Sequence, residues 1–176
     1  MQMTFYSGGA DGSDSIWEQK LKEKNQKIIV YRPYHINKLT NSEFNEIDKQ
    51  YLEIVNILKR KPLSAERFAG LLVRRDMLQV NNANAVFAIG TINKYNGYVN
   101  GGTAYATTRA ILLGIDVYLF EQDKKQWFKW NYEEKKFIEY TDELKLQDKS
   151  TVIGTREINQ DGINAIVEII NRTFTN

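Results

Sequence analysis

The chain has 176 residues, 42% of them hydrophobic and 26% charged, with a net charge of +2. Near-neutral charge argues against a dedicated nucleic-acid surface, and the absence of cysteine removes disulfides and thiolate zinc sites. No apolar run approaches the roughly 18 residues of a membrane span, and no cationic–apolar signal segment follows Met1, so a single cytoplasmic domain spanning 1–176 is expected.

In chain order, residues 3–6 read as a short apolar strand running into the loop SGGADGSD (7–14). A helix over about 14–25 follows, with Ile16, Trp17 and Leu21 at helical spacing. KIIVY (27–31) is a strand stopped at Arg32–Pro33. Thr40 and Glu43 form a capping box before a helix whose apolar face carries Phe44, Ile47, Tyr51, Ile54, Val55 and Leu58. Ser64 opens a further helix to about residue 80, and NAVFAIG (84–90) is a buried strand. A polar loop (91–100) leads to GGTAYATTRAILLG (101–114), a glycine turn and helix stopped by Gly114, and IDVYLFE (115–121) is the next strand.

Residues 126–140 break this rhythm. Two alternating aromatic segments flank Asn131–Tyr132–Glu133–Glu134, the pattern of an antiparallel hairpin, and about 122–149 reads as an accessory insert. The segment STVIGTREINQDG (150–162) then supplies a last strand, a loop and the start of a helix. Alternating short strands and helices predict an α/β fold, a Rossmann-like parallel sheet covered on both faces.

Three strand ends deliver glycine loops: Ser7–Gly8–Gly9–Ala10–Asp11–Gly12, Gly101–Gly102–Thr103 and Gly154–Thr155–Arg156. In an open parallel sheet, ligands bind beyond the carboxyl ends of the strands, where glycines and helix N-termini suit an anion. Asp11 and Asp14 either cap the first helix or accept hydrogen bonds from ribose hydroxyls. The single histidine, His35, makes neither a metal site nor a triad and is expected to be structural; no metal and no cofactor is expected.

These motifs resemble the SLOG superfamily, the Rossmann-like group that includes YpsA-like proteins, DprA DNA-processing proteins and LOG phosphoribohydrolases. The nearest likeness is to phage and bacterial members with GIGSRE, SGGADGAD, TRNxxQV and GGT motifs. Their counterparts here are Gly154–Glu157, Ser7–Asp14, Arg75–Val80 and Gly101–Thr103. In those relatives the GIGSRE unit comes first, whereas here it comes last, so the order reads as a circular permutation in which 150–176 supplies the usual first strand and helix. The permuted helix should then lie beside the 14–25 helix, with Arg156 on the same edge as Ser7–Asp14.

The resemblance implies a binding site built from Ser7, Gly8, Gly9, Asp11, Asp14, Arg75, Gly101, Gly102, Thr103, Gly154, Thr155, Arg156 and Glu157. Arg75 and Arg156 suit bidentate capture of phosphate, while Arg74 and Arg109 are expected at the surface or an interface. The LOG enzymes carry a glutamate where this chain has Thr108, and a proline where it has Asn100. If the chain is an enzyme, Glu157 or Asp11 must supply the missing carboxylate. The expected function is therefore binding of a nucleotide-derived small molecule, ADP-ribose-like or a cyclic nucleotide. Sequestration of an antiphage defence signal and a homo-oligomeric state are what the resemblance adds. The alternatives are nucleotide N-glycosidase activity and, third, DprA-like binding of single-stranded DNA, which the charge disfavours; no membrane partner is expected.

Overall fold

β-Branched and aromatic runs build the strands, and their order in space differs from their order in the chain. A computed structural model describes residues 1–175. Its elements are β1 (Thr4–Ser7), α1 (Ser13–Glu23), β2 (Lys27–Val30), a 3-10 turn (Pro33–Lys38), α2 (Asn41–Leu58), α3 (Phe68–Val80) and β3 (Ala85–Gly90). They continue with α4 (Thr103–Leu113), β4 (Asp116–Glu121), β5 (Gln126–Asn131), β6 (Lys136–Glu139), β7 (Ser150–Gly154) and α5 (Gln160–Thr173). One seven-stranded sheet runs β2-β1-β7-β3-β4-β5-β6, parallel from β2 to β4 and antiparallel beyond.

The last strand in sequence thus lies in the middle of the sheet. β7 sets Phe5 against Ser150 and Tyr6 against Thr151 on one side, and pairs Ala85–Ile89 with Ser150–Gly154 on the other. α5 packs against α1, as the permuted order predicts. The architecture is Rossmann-like, with 150–175 as its inner strand and helix.

Central strands are buried on both faces, so their sequences are continuous apolar runs whose alternate residues serve different cores. Phe87, Ile89 and Val152 join Phe5, Trp17 and Ile166 in the core under α1 and α5. Val86, Ala88 and Ile153 join Val80, Ala106 and Ala110 under α3 and α4. A third cluster, with Ile47, Tyr51 and Ile54 against Met77, Ala104 and Tyr105, fixes α2 on the outside of α3 and α4.

Four local features refine the expected elements. α3 starts at Phe68, because Ser64 closes a turn of its own: its Oγ accepts the Glu66 N–H and its carbonyl accepts that of Arg67. α5 starts at Gln160 under Asn159, whose side chain accepts the Gly162 N–H, so Glu157 lies in the loop before the helix. Neither Asp11 nor Asp14 caps α1; Gly12 is the N-cap, with φ 85° and no side-chain cap. A Cβ on Gly12 would also stand 2.4 Å from the Arg156 carbonyl oxygen, so both conformation and close approach demand glycine.

The fourth concerns the hairpin, which forms as expected and extends the main sheet through β4. Phe128, Trp130 and Phe137 are buried in the α3–α4 core, and Trp127 packs against the α1–α5 core. Leu144 and Leu146 in the following spacer are buried too. Strands β5 and β6 are therefore part of the main sheet, and the spacer after them adds Leu144 and Leu146 to its core.

Candidate functional site

At the carboxyl ends of β1, β7 and β3 the glycine loops surround one cavity of about 590 Å³, of the size that takes a small organic ligand. Asp14, Arg75, Gly101, Gly102, Thr103, Gly154, Thr155, Arg156 and Glu157 all contribute to its lining. Ser7, Gly8, Gly9 and Asp11 do not, and each of the first three has a scaffolding task. Ser7 Oγ accepts the Gly9 N–H, Gly8 O accepts from Arg75 Nη1, and Gly9 O accepts from Arg32 Nη1. Asp11 is simply exposed.

The seam between the chain's two ends forms one side. Ser13 donates both its N–H and its Oγ–H to the Thr155 carbonyl, and the Thr155 N–H bonds to Ile89 O, so α1, β3 and the loop after β7 hold one another. The opposite side is the start of α4. Its N-cap, Gly102, has no capping side chain and its first turn no acidic residue; the Ala104 and Tyr105 N–H groups bond to the Gly101 and Gly102 carbonyls, and the positive end of the helix dipole lies at the cavity lined by Gly101, Gly102 and Thr103. No side chain is needed there: Gly101 adopts φ 70°, and a Cβ on Gly101 or Gly102 would meet nothing within 4 Å.

Arg75 is buried and works as a strut. Nη1 donates to Gly8 O at 2.6 Å and to Tyr31 O at 3.0 Å, joining the loop after β1 to the end of β2, while Nε pairs with Asp76 Oδ1 at 3.2 Å. Asp76, at 6% exposure, is pushed up to about 6 by burial, against the pull of Arg75. Asp14 is 3% exposed and pushed up to about 7. Burial is the main cause, opposed by the Ala10 N–H and Arg75 and aided by Asp76 and Glu18. Asp14 Oδ2 accepts the Ala10 N–H, and Oδ1 has no partner among the described residues.

Several lining residues carry no motif and were missed. Arg60 donates Nη1 to Gly101 O at 2.9 Å and lies 5.0 Å over the Tyr105 ring, placing a guanidinium beside the α4 terminus. In the sequence it sits in a polar run, KRKP, that looks like solvated surface. Leu63, ahead of α3, and Leu72 and Val73 on it make an apolar wall that no sequence motif marks.

Other expectations resolve as follows. Arg74 is buried, against the expectation of surface: Nε pairs with Asp48 at 2.9 Å, Nη1 donates to Leu63 O and Gly70 O, and Tyr51 lies beneath it at 4.3 Å. Arg109 is partly buried and donates to Asn81 Oδ1. His35 Nδ1 accepts the Arg32 N–H and so ties the start of the 3-10 turn, a structural role. Thr108 is buried in α4 and does not line the cavity.

Among the described residues no group of three or more His, Cys, Asp or Glu is placed to hold a metal ion, and no helix is long and apolar enough to cross a membrane. No family model, no curated protein and no solved structure matches this chain.

Proposed function

We propose that the cavity binds a nucleotide-derived small molecule, with its phosphate at the α4 N-terminus. The observation that supports this most is the first turn of α4, without a capping side chain or acidic residue, opening on the cavity beside Arg60, with Arg156 on the same lining. Backbone amides and a helix dipole favour an anion, and guanidinium groups favour the bidentate geometry of phosphate oxygens. The wall of Leu63, Leu72 and Val73 suits a flat base. ADP-ribose-like molecules and cyclic nucleotides share this combination of charge and apolar surface. On the SLOG resemblance, retention of such a molecule withholds a defence signal in an infected bacterial cell.

The protein, purified from cells and heat-denatured, should release its ligand for mass spectrometry. A phosphorylated nucleoside derivative recovered in near-stoichiometric amount supports the reading. If instead no such compound is released and none of a panel of nucleotides and ADP-ribose derivatives raises the melting temperature, the reading fails.

A further inference from the structure

Asp14 holds an oxygen with nothing to bond. The carboxyl lines the cavity, is 3% exposed, and spends Oδ2 on the Ala10 N–H at 3.3 Å. Oδ1 is buried without a partner among the described residues. Arg75 directs Nε and Nη1 away from it, to Asp76, Gly8 and Tyr31. An orphaned buried acceptor costs free energy until a donor arrives, and the cavity that Asp14 lines is where a ligand donor can enter.

The rest of the lining says which donor. An anion at the α4 terminus and a flat apolar ring on the α3 wall leave the piece between them, and in a nucleotide that piece is the sugar. Its hydroxyls are donors of the right kind. We propose that Asp14 is the specificity-determining residue of this site, accepting a ligand sugar hydroxyl and thereby selecting ribose over deoxyribose. The inference rests on the reading of the cavity as a nucleotide site.

Sites built to hydrogen-bond a hydroxyl reject analogues that lack it, because the buried protein group is then left unpaired. Proton linkage gives a second signature. The charged groups around Asp14 are Arg75 and Asp76 on α3 and Glu18 one turn along α1, with Arg156 and Glu157 on the same cavity lining. Burial holds the carboxyl near 7, and a donated hydroxyl favours its ionised form. Binding near pH 7 should therefore release protons and tighten as pH rises through 7.

The test is calorimetric titration with adenosine 5′-monophosphate and its 2′-deoxy and 3′-deoxy counterparts, in two buffers of different ionisation enthalpy. At least one deoxy compound should bind tenfold or more weakly, with proton release on binding the ribonucleotide. Asp14→Ala should bring all three within threefold of one another. If that variant fails to fold, Asp14→Asn, which keeps the shape and an acceptor but not the charge, should bind without proton release. Wild type binding all three nucleotides within threefold, or taking up protons, overturns the role of Asp14 and leaves the nucleotide reading standing. Binding of none of them overturns the role of Asp14, and the nucleotide reading is then decided by the wider panel of nucleotides and ADP-ribose derivatives.

Discussion

Ser13 Oγ donates to the Thr155 carbonyl at 2.6 Å across 142 residues of sequence, and the Ser13 N–H joins it on the same oxygen. This bond fastens the C-terminal strand–loop–helix to the first helix of the chain. Its neighbour, Gly154, would drive a Cβ to 2.6 Å from Ile89 O, so the whole seam is packed backbone to backbone. The unit behaves as an inner element of the fold that happens to be encoded last.

Restoring the other order should therefore be harmless. Phe5 and Phe174 touch edge to face at 6.4 Å, so the two ends of the chain lie close together. A variant joining residue 175 to residue 2 by a short Gly/Ser linker, opened between the exposed Asp142 and Glu143, should keep the fold. Its unfolding free energy, measured in urea, should fall within about 2 kcal/mol of the parent, the scale of a short loop closure. A molten or aggregated product would show that 150–175 needs its present connection.

How much of this was legible depended on what the signal encodes. Runs such as AVFAIG and STVIG announce two-sided burial by composition, and Thr40–Glu43 announces a helix start by its own chemistry; both appear in place. Loops carry no such period. Nothing in RRD says that Arg75 will brace two carbonyls or that Arg74 will be buried over Tyr51 with Asp48. Arg60 reaches the cavity by a contact with Gly101, forty-one residues away, which only the packing of α2 beside α4 creates. The hairpin shows the same limit: alternating aromatics specify the strand pair, which forms, but not the sheet it joins.

The hairpin should accordingly be indispensable, contrary to its accessory look in the sequence. Trp130 is buried, stacked on Tyr98 at 5.6 Å and set edge-on to Phe137 at 5.1 Å. Trp130→Ala should cost about 3–5 kcal/mol in denaturant unfolding. Replacing 124–140 by a short Gly/Ser loop should abolish the cooperative transition, since it uncovers β4 and both cores. A cooperative transition preserved in that deletion would return the hairpin to the status of an insert.

Asp14 should make the ligand-free protein lose stability with rising pH. Its folded pKa of about 7 stands above the unfolded carboxylate value, so the folded state holds a proton that the unfolded state has released. The contribution is fully present below about pH 4 and is lost as pH rises to about 7; Asp76, raised to about 6, acts in the same sense. Asp14→Asn removes the buried charge while keeping the shape. Its unfolding free energy should match the parent near pH 4 and exceed it at pH 8 by about 1–3 kcal/mol. Equal pH profiles for parent and variant would mean that Asp14 is ionised and well solvated.

Two arginines at one cavity should separate affinity from stability. Arg156 is exposed on the rim, while Arg75 is buried and holds the carbonyls of Gly8 and Tyr31. Arg156→Ala should weaken binding of a nucleotide monophosphate about 10-fold or more, by loss of charge-assisted hydrogen bonds worth roughly 1.5–3 kcal/mol, and leave the melting temperature within a degree or two. Arg75→Ala should lower both. Turnover is the remaining discriminator, because Glu157 lines the cavity whereas Asp11 and Thr108 do not. Nucleotides and ADP-ribose derivatives incubated with the wild type for long periods should be recovered intact by chromatography. Release of a free base, lost in Glu157→Gln with binding retained, would instead establish an N-glycosidase and end the pure-binder reading.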